Sequence, residues 1–138
     1  MDAIDRLIDF FEALDPQALD RIGEFYSAGA WFKDPFNEVR GATAVGALFA
    51  RMFEQLDAPR FRVRERVFDG DRGFLVWDLE FRFRGSREPQ TIHGVSHLRL
   101  DSEGRVCYHR DYWDTAEELY AKIPLLGALM RWLRRRVG

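Results

Sequence analysis

The chain has 138 residues, 46% hydrophobic and 32% charged, with a formal charge of −2. That length supports one buried core and not two, so residues 1–138 are read as a single domain. The near-neutral balance gives no electrostatic case for nucleic acid, and the lone Cys107 excludes an internal disulfide framework. Acids stand where a signal peptide needs bases, and no apolar run reaches membrane-spanning length, so the expected location is the cytoplasm.

Ile4, Leu7, Ile8, Phe11 and Leu14 recur at helical spacing and predict an amphipathic helix over 2–14. Asp15-Pro16 offers an N-cap and a first helical position for a second, shorter helix carrying Leu19, Ile22 and Phe25. Trp31 and Phe32 read as a short apolar strand ending at Asp34-Pro35. Gly41 then opens a third helix, about Ala42 to Leu56, with Val45, Leu48, Phe49, Met52 and Phe53 on one face. After Pro59 the period changes from helical to alternating. Four strand-like runs follow, about 61–68, 73–83, 91–100 and 105–113, separated by turn-forming residues at 69–71, 85–89 and 101–104. Short connections make them an antiparallel meander. On the second run Leu75, Trp77, Leu79, Phe81 and Phe83 share one face, and Asp78, Glu80, Arg82 and Arg84 share the other. The preceding helices must cover the apolar face, which gives an α+β layout with three N-terminal helices packed on a curved sheet.

Two segments carry chemistry. Pro35 restricts Asp34 to extended backbone, so its carboxylate is aimed rather than swept. It serves either as a general base or as a turn cap. In the last strand, alternation puts Cys107, His109, Asp111 and Trp113 on one face, a titratable pair flanked by a thiol and an indole. That face is either a pocket wall or the solvent side of an edge strand. His93, His97 and His109 match no metal-ligand spacing, so neither a metal nor another cofactor is expected.

The order of helices, Asp-Pro turn, helix and four-strand meander resembles the nuclear transport factor 2-like superfamily, especially its SnoaL-like and ketosteroid-isomerase-like bacterial members. The segments that carry the likeness are Ala30–Pro35 with Gly41, and Val95–Leu100 through Gly104–Val106. The resemblance implies a cone whose curled sheet and helices enclose a pocket; a C-terminal helix is expected in addition. The isomerases' general base falls on Asp34, their oxyanion-hole tyrosine on Phe10 and their second oxyanion donor on Ser96. Phe10 donates no hydrogen bond and Ser96 only a weak one, which argues against a steroid isomerase. Arg110–Asp114 is similar to the Arg-Asp-Tyr-Phe-Asp strand end of limonene epoxide hydrolases, which places Asp111 in the pocket. The acidic partner of that pair falls near Trp77 and Leu79, so the hydrolase set is incomplete.

The resemblance therefore implies a pocket with Asp34 on one wall, His109 and Asp111 on another, and Ser96 between them. Trp31, Trp77, Leu79, Phe81 and Trp113 form its apolar lining. Such a site suits acid/base chemistry of the isomerase, cyclase or hydrolase type. Its substrate is a small apolar molecule: a carbonyl, polyketide-, terpene- or steroid-like compound. The alternative is a non-catalytic ligand-binding or protein-interaction module of the same fold, with His109 and Asp111 as a packed pair. The mixed charges of the outer sheet face suit a homodimer, as in relatives that pair there.

The tail, Glu117 to Val137, spaces Leu119, Ile123, Leu126, Leu129, Met130 and Leu133 for one helical face and crowds arginines at its end. A lid over the cone or core packing is the favoured reading. A dimer contact and docking on a membrane surface stand beside it, and basic residues in a last turn also complement the helix dipole with no partner at all.

Overall fold

The computed structural model describes residues 1–118 and 124–137. Helix α1 spans Ala3–Glu12, and its start is a reciprocal cap: the Asp2 carboxylate accepts from Asp5 N at 2.7 Å and Asp5 accepts from Asp2 N. The second predicted helix is shorter than its sequence pattern. Asp15 caps a 3-10 turn over Ala18–Arg21 through Ala18 N, and only Ile22–Phe25 is α-helical (α2). Strand β1 then covers Tyr26–Lys33, longer than the Trp31-Phe32 strand predicted, and β2, Glu38–Arg40, folds back on it as an unpredicted edge. Helix α3 covers Ala42–Gln55. Gly41 at its N-cap has φ +98°, donates to Ala30 O, and would bring a Cβ to 3.0 Å of Ala28 O, so any other residue there is strained.

Strands β3 (Leu56–Asp69), β4 (Arg72–Phe83), β5 (Gln90–Leu100) and β6 (Val106–Tyr112) form the predicted meander. The sheet order is β2-β1-β6-β5-β4-β3, antiparallel throughout except where β1 lies parallel to β6. Pro59 is tolerated because β3 is an edge strand and is bulged there, with Ala58 at φ +50° and the register shifting between Asp57 and Arg60. The result is an α+β fold with a six-stranded, mostly antiparallel curved sheet. Helices α1 and α3 lie on one face and bury Leu7, Phe10, Phe11, Val45 and Phe49 against Phe32, Leu75, Trp77, Leu79 and Phe81. After β6 come α4 (Thr115–Glu118) and α5 (Pro124–Val137). In the tail, Leu119 and Ile123, and the side chains of Leu126, Leu129 and Met130, lie outside the described residues. Leu133 is 40% exposed, which departs from core packing at that position.

Candidate functional site

The inner end of the sheet holds a polar chain inside an apolar wall. Strand β6 is bulged at Cys107: Leu100 pairs with Val106 and Arg99 with Tyr108, so the strand skips one residue. The skip turns Cys107 out of the alternation, its Sγ donating to Arg99 O, and leaves His109 and Asp111 on the helix-covered face. His109 is packed beside Phe11 and Phe32 and nearly parallel to Tyr26, at 5.9 Å between ring centroids. Its Nδ1 lies 2.7 Å from Tyr26 Oη, and its Nε2 lies 2.6 Å from Asp111 Oδ1. Ser96 Oγ donates to the same Asp111 oxygen at 2.5 Å and accepts from Trp77 Nε1 at 2.8 Å. Tyr26, His109, Asp111, Ser96 and Trp77 thus form one unbroken chain.

One proton arrangement satisfies every member. Burial, then the Asp111 charge, pushes the Tyr26 phenol well above its ordinary range, so it keeps its proton and donates to Nδ1. His109 carries its proton on Nε2 and gives it to the Asp111 carboxylate, which also accepts from Ser96. Asp111 Oδ2 makes no hydrogen bond to any described residue. Among the described residues no group of three His, Cys, Asp or Glu side chains converges as metal ligands.

A cavity of about 390 Å³ opens above this chain, walled by Phe32, Phe49, Met52 and Phe61 and by Trp77, Leu79, Phe81 and Ile92. Asp34, Asp111 and Trp113 border it, as do Asn37, Arg51 and Gln55. A second void of about 20 Å³ lies deeper, against Ser96, His109 and Asp111, a volume near that of one water. A neighbouring surface depression, bordered by Lys33, Arg110 and Asp114, shares Asp34, Asp111 and Trp113 with the cavity.

The expected site residues therefore divide. Asp111, Asp34, Trp77, Leu79, Phe81 and Trp113 line the cavity, and His109 and Ser96 sit beneath it. Asp34 is occupied by its own turn: Oδ1 accepts from Phe36 N, Asn37 N and Asn37 Nδ2 at 2.7–3.0 Å, and Oδ2 from Asn37 Nδ2 at 3.2 Å. Trp31 is not part of the lining. With Ala30 and Phe32 buried, alternation sends Trp31 to the outer face, where it stacks on Tyr108 at 5.0 Å. Phe10 is buried and stacks on Phe25.

Two residues of the site carry no sequence signal that marks them. Tyr26 opens β1 and meets His109 only through the parallel pairing with β6. Gly94 stands opposite Trp77 in register, and a Cβ there would come within 2.5 Å of the indole ring, so the missing side chain is what lets Trp77 lie flat and reach Ser96.

The outer face carries a second aromatic group. His97 stacks on Phe74 at 4.7 Å and meets Tyr108 edge-on at 5.0 Å, with the Arg99 guanidinium over Tyr108. Phe74 is 43% exposed and Tyr112 48%.

A family model described as the SnoaL-like domain matches residues 7–109. Among solved structures, a putative SnoaL-like polyketide cyclase from Shewanella putrefaciens aligns over 91% of this chain and 98% of its own, with 17% identity and a TM-score of 0.74. AclR, a putative hydroxylase from Streptomyces galilaeus, aligns over 91% and 96%, with 20% identity and a TM-score of 0.70. TerC, co-crystallised with polyporic acid, aligns over 83% and 93%, with 17% identity and a TM-score of 0.70. No curated protein matches the chain.

Proposed function

The chain belongs to the SnoaL-like domain family, and from that membership we propose that it binds a small apolar molecule in the cavity and acts on it by acid/base chemistry at Asp111. The observation that carries the reading is the asymmetric use of one carboxylate. Two donors, His109 and Ser96, hold Oδ1, while Oδ2 has no partner among the described residues, on a cavity wall that is otherwise largely apolar. An anchored carboxylate with one free oxygen takes a proton from carbon next to a carbonyl and returns it elsewhere on the same molecule. His109 and Ser96 orient the base, and Tyr26 and Trp77 orient those two in turn.

A cavity near 390 Å³ falls in the range of small-molecule sites. Its aromatic walls suit a carbonyl-bearing aromatic or polyketide-like ligand, and the polyporic acid co-crystallised with TerC and the cyclase description of the Shewanella protein support that class. Isomerisation or cyclisation fits better than epoxide hydrolysis, because Trp77 and Leu79 stand where a second acid would be needed. A non-catalytic binding module is the second reading, favoured by the engagement of Asp34 in its turn, which leaves the site a single acid.

The test is deuterium exchange. Hydroxy-aromatic and polyketide carbonyls that raise the melting temperature are incubated in D2O with the wild type and with Asp111→Asn. Exchange at the carbon next to the carbonyl by the wild type alone supports catalysis. Binding by both proteins without exchange leaves the binding module.

We also infer a cytoplasmic homodimer formed through the outer face, where Trp31, Phe74, His97, Tyr108 and Tyr112 group beside Arg99 and Arg110. Aromatic residues and arginine are the types enriched in interface cores.

A further inference from the structure

The C-terminal helix points to a partner that neither cavity nor sheet requires. Every residue from Arg131 to Val137 is exposed, including Trp132 at 47%, Leu133 at 40% and Val137 at 88%. Between and beside these apolar side chains stand Arg131, Arg134, Arg135 and Arg136, with no acid among them, and the Arg136 guanidinium lies 5.4 Å from the Trp132 ring centroid. The first half of the same helix, 124–130, contains no charged residue. One cation in the last turn would complement the helix dipole. Four arginines with an exposed indole exceed that need, and a helix meant only for water would not also expose Trp, Leu and Val.

We propose that α5 docks the protein on an anionic lipid surface, with Trp132, Leu133 and Val137 entering the headgroup boundary and the arginines binding lipid phosphates. Arginine and tryptophan on a basic, amphipathic helix are the residue types of interfacial anchors, and the positive end complements an anionic leaflet although the chain as a whole carries −2. The position of the helix gives the docking a use. Leu133, Arg134 and Val137 border a surface depression with Asp114 and Glu117, and Asp114 also lines the depression that adjoins the cavity. A docked helix sets that side of the cavity beside the bilayer, where apolar molecules concentrate. This use rests on the ligand reading above; the docking itself does not.

The experiment is co-sedimentation of the 138-residue chain with mixed phosphatidylglycerol/phosphatidylcholine vesicles and with pure phosphatidylcholine vesicles. Binding is expected to the anionic vesicles, to be weaker on the neutral ones, and to be lost near 1 M salt, where the screening length falls to about 3 Å. The triple variant Arg134→Gln, Arg135→Gln, Arg136→Gln is expected to keep the wild-type melting temperature and to lose about a hundredfold in partitioning, roughly fivefold per charge. The salt series needs no variant and reads the same attraction independently. Wild-type protein that stays in the supernatant with anionic vesicles overturns the proposal, as does equal binding to both vesicle types or an unchanged triple variant. If vesicles fail and the triple variant alters the mass measured by light scattering, the patch belongs to a second copy of the chain. Vesicle binding and deuterium exchange are separate readouts, so either proposal can fail alone.

Discussion

Ser96 and Asp111 face each other across the β5–β6 register, and the serine hydroxyl donates to Asp111 Oδ1 at 2.5 Å while it accepts from the Trp77 indole. Ser96→Ala therefore removes more than one bond. It leaves the buried Trp77 N–H without an acceptor, a loss of about 1–3 kcal/mol in urea denaturation. Ser96→Thr keeps the hydroxyl and should recover most of it. If Ser96→Ala is as stable as the wild type, the Trp77–Ser96 bond is not formed in solution.

Asp111→Asn and Asp34→Asn should part company. At Asp111 the amide oxygen still accepts from His109 and Ser96, so stability changes by less than about 2 kcal/mol, while any turnover falls by roughly 10²–10⁴ with the base gone. At Asp34 the amide oxygen still caps the turn, and both stability and turnover stay within about 1 kcal/mol of wild type. Melting curves and turnover of the pair decide it. A dead Asp34→Asn with a live Asp111→Asn would reverse the assignment.

Tyr26 and His109 should be energetically coupled. Tyr26→Phe leaves Nδ1 unpaired, and His109→Leu leaves the Tyr26 hydroxyl without its acceptor and removes one of the two donors to the Asp111 carboxylate. Each costs about 1–3 kcal/mol. The double variant should cost less than the sum, by about 0.5–3 kcal/mol of interaction. Strict additivity would show that the 2.7 Å contact contributes nothing.

The pH dependence has a fixed sign. The Tyr26 phenol is raised by burial and by the Asp111 charge, so the folded protein holds its proton above pH 10, where the unfolded chain releases it. Stability from this group is complete below about pH 10 and declines as pH rises past it. Burial, then Arg99 and Arg72, lowers His97, so the unfolded chain takes up a proton that the folded one refuses, and stability declines as pH falls below about 6.5. Urea midpoints across pH should show the alkaline decline flattened in Tyr26→Phe. An unchanged alkaline slope in that variant would assign the decline to other groups.

The outer aromatic face predicts an oligomeric change. Light scattering should report a dimer at micromolar protein, and Tyr108→Glu, which places a charge among Trp31, His97 and Arg99, should give monomers that keep the fold by circular dichroism. A wild-type monomer would remove the dimer.

Much of the fold was legible because its signals are local. Alternation along β4 put Trp77, Leu79 and Phe81 inward, and Asp-Pro and Gly41 bracketed the turn before α3. Trp31, expected on the cavity wall, faces outward because it alternates along β1 with the buried Ala30 and Phe32. The Cys107 bulge was illegible, since plain alternation groups Cys107 with His109 and only the pairing with β5 shows the skipped residue. Tyr26 was illegible for a different reason: its partner lies 83 residues away, and no local pattern encodes a long-range parallel pairing.

That same pairing sets the order in which the protein can assemble. β1 leaves the ribosome early, yet among the described residues its partners are the short β2 and β6, the last strand described. The meander from β3 to β6 closes through short turns, whereas joining β1 to β6 closes a loop of most of the chain and bears the corresponding entropy before any contact repays it. Tyr26 therefore meets His109 late, after the hairpins are in place. The polar chain beneath the cavity becomes complete only in a chain that has finished folding: a closed meander already joins Ser96 and His109 to Asp111, and β1 then adds Tyr26 to hold His109, and Phe32 to the cavity wall.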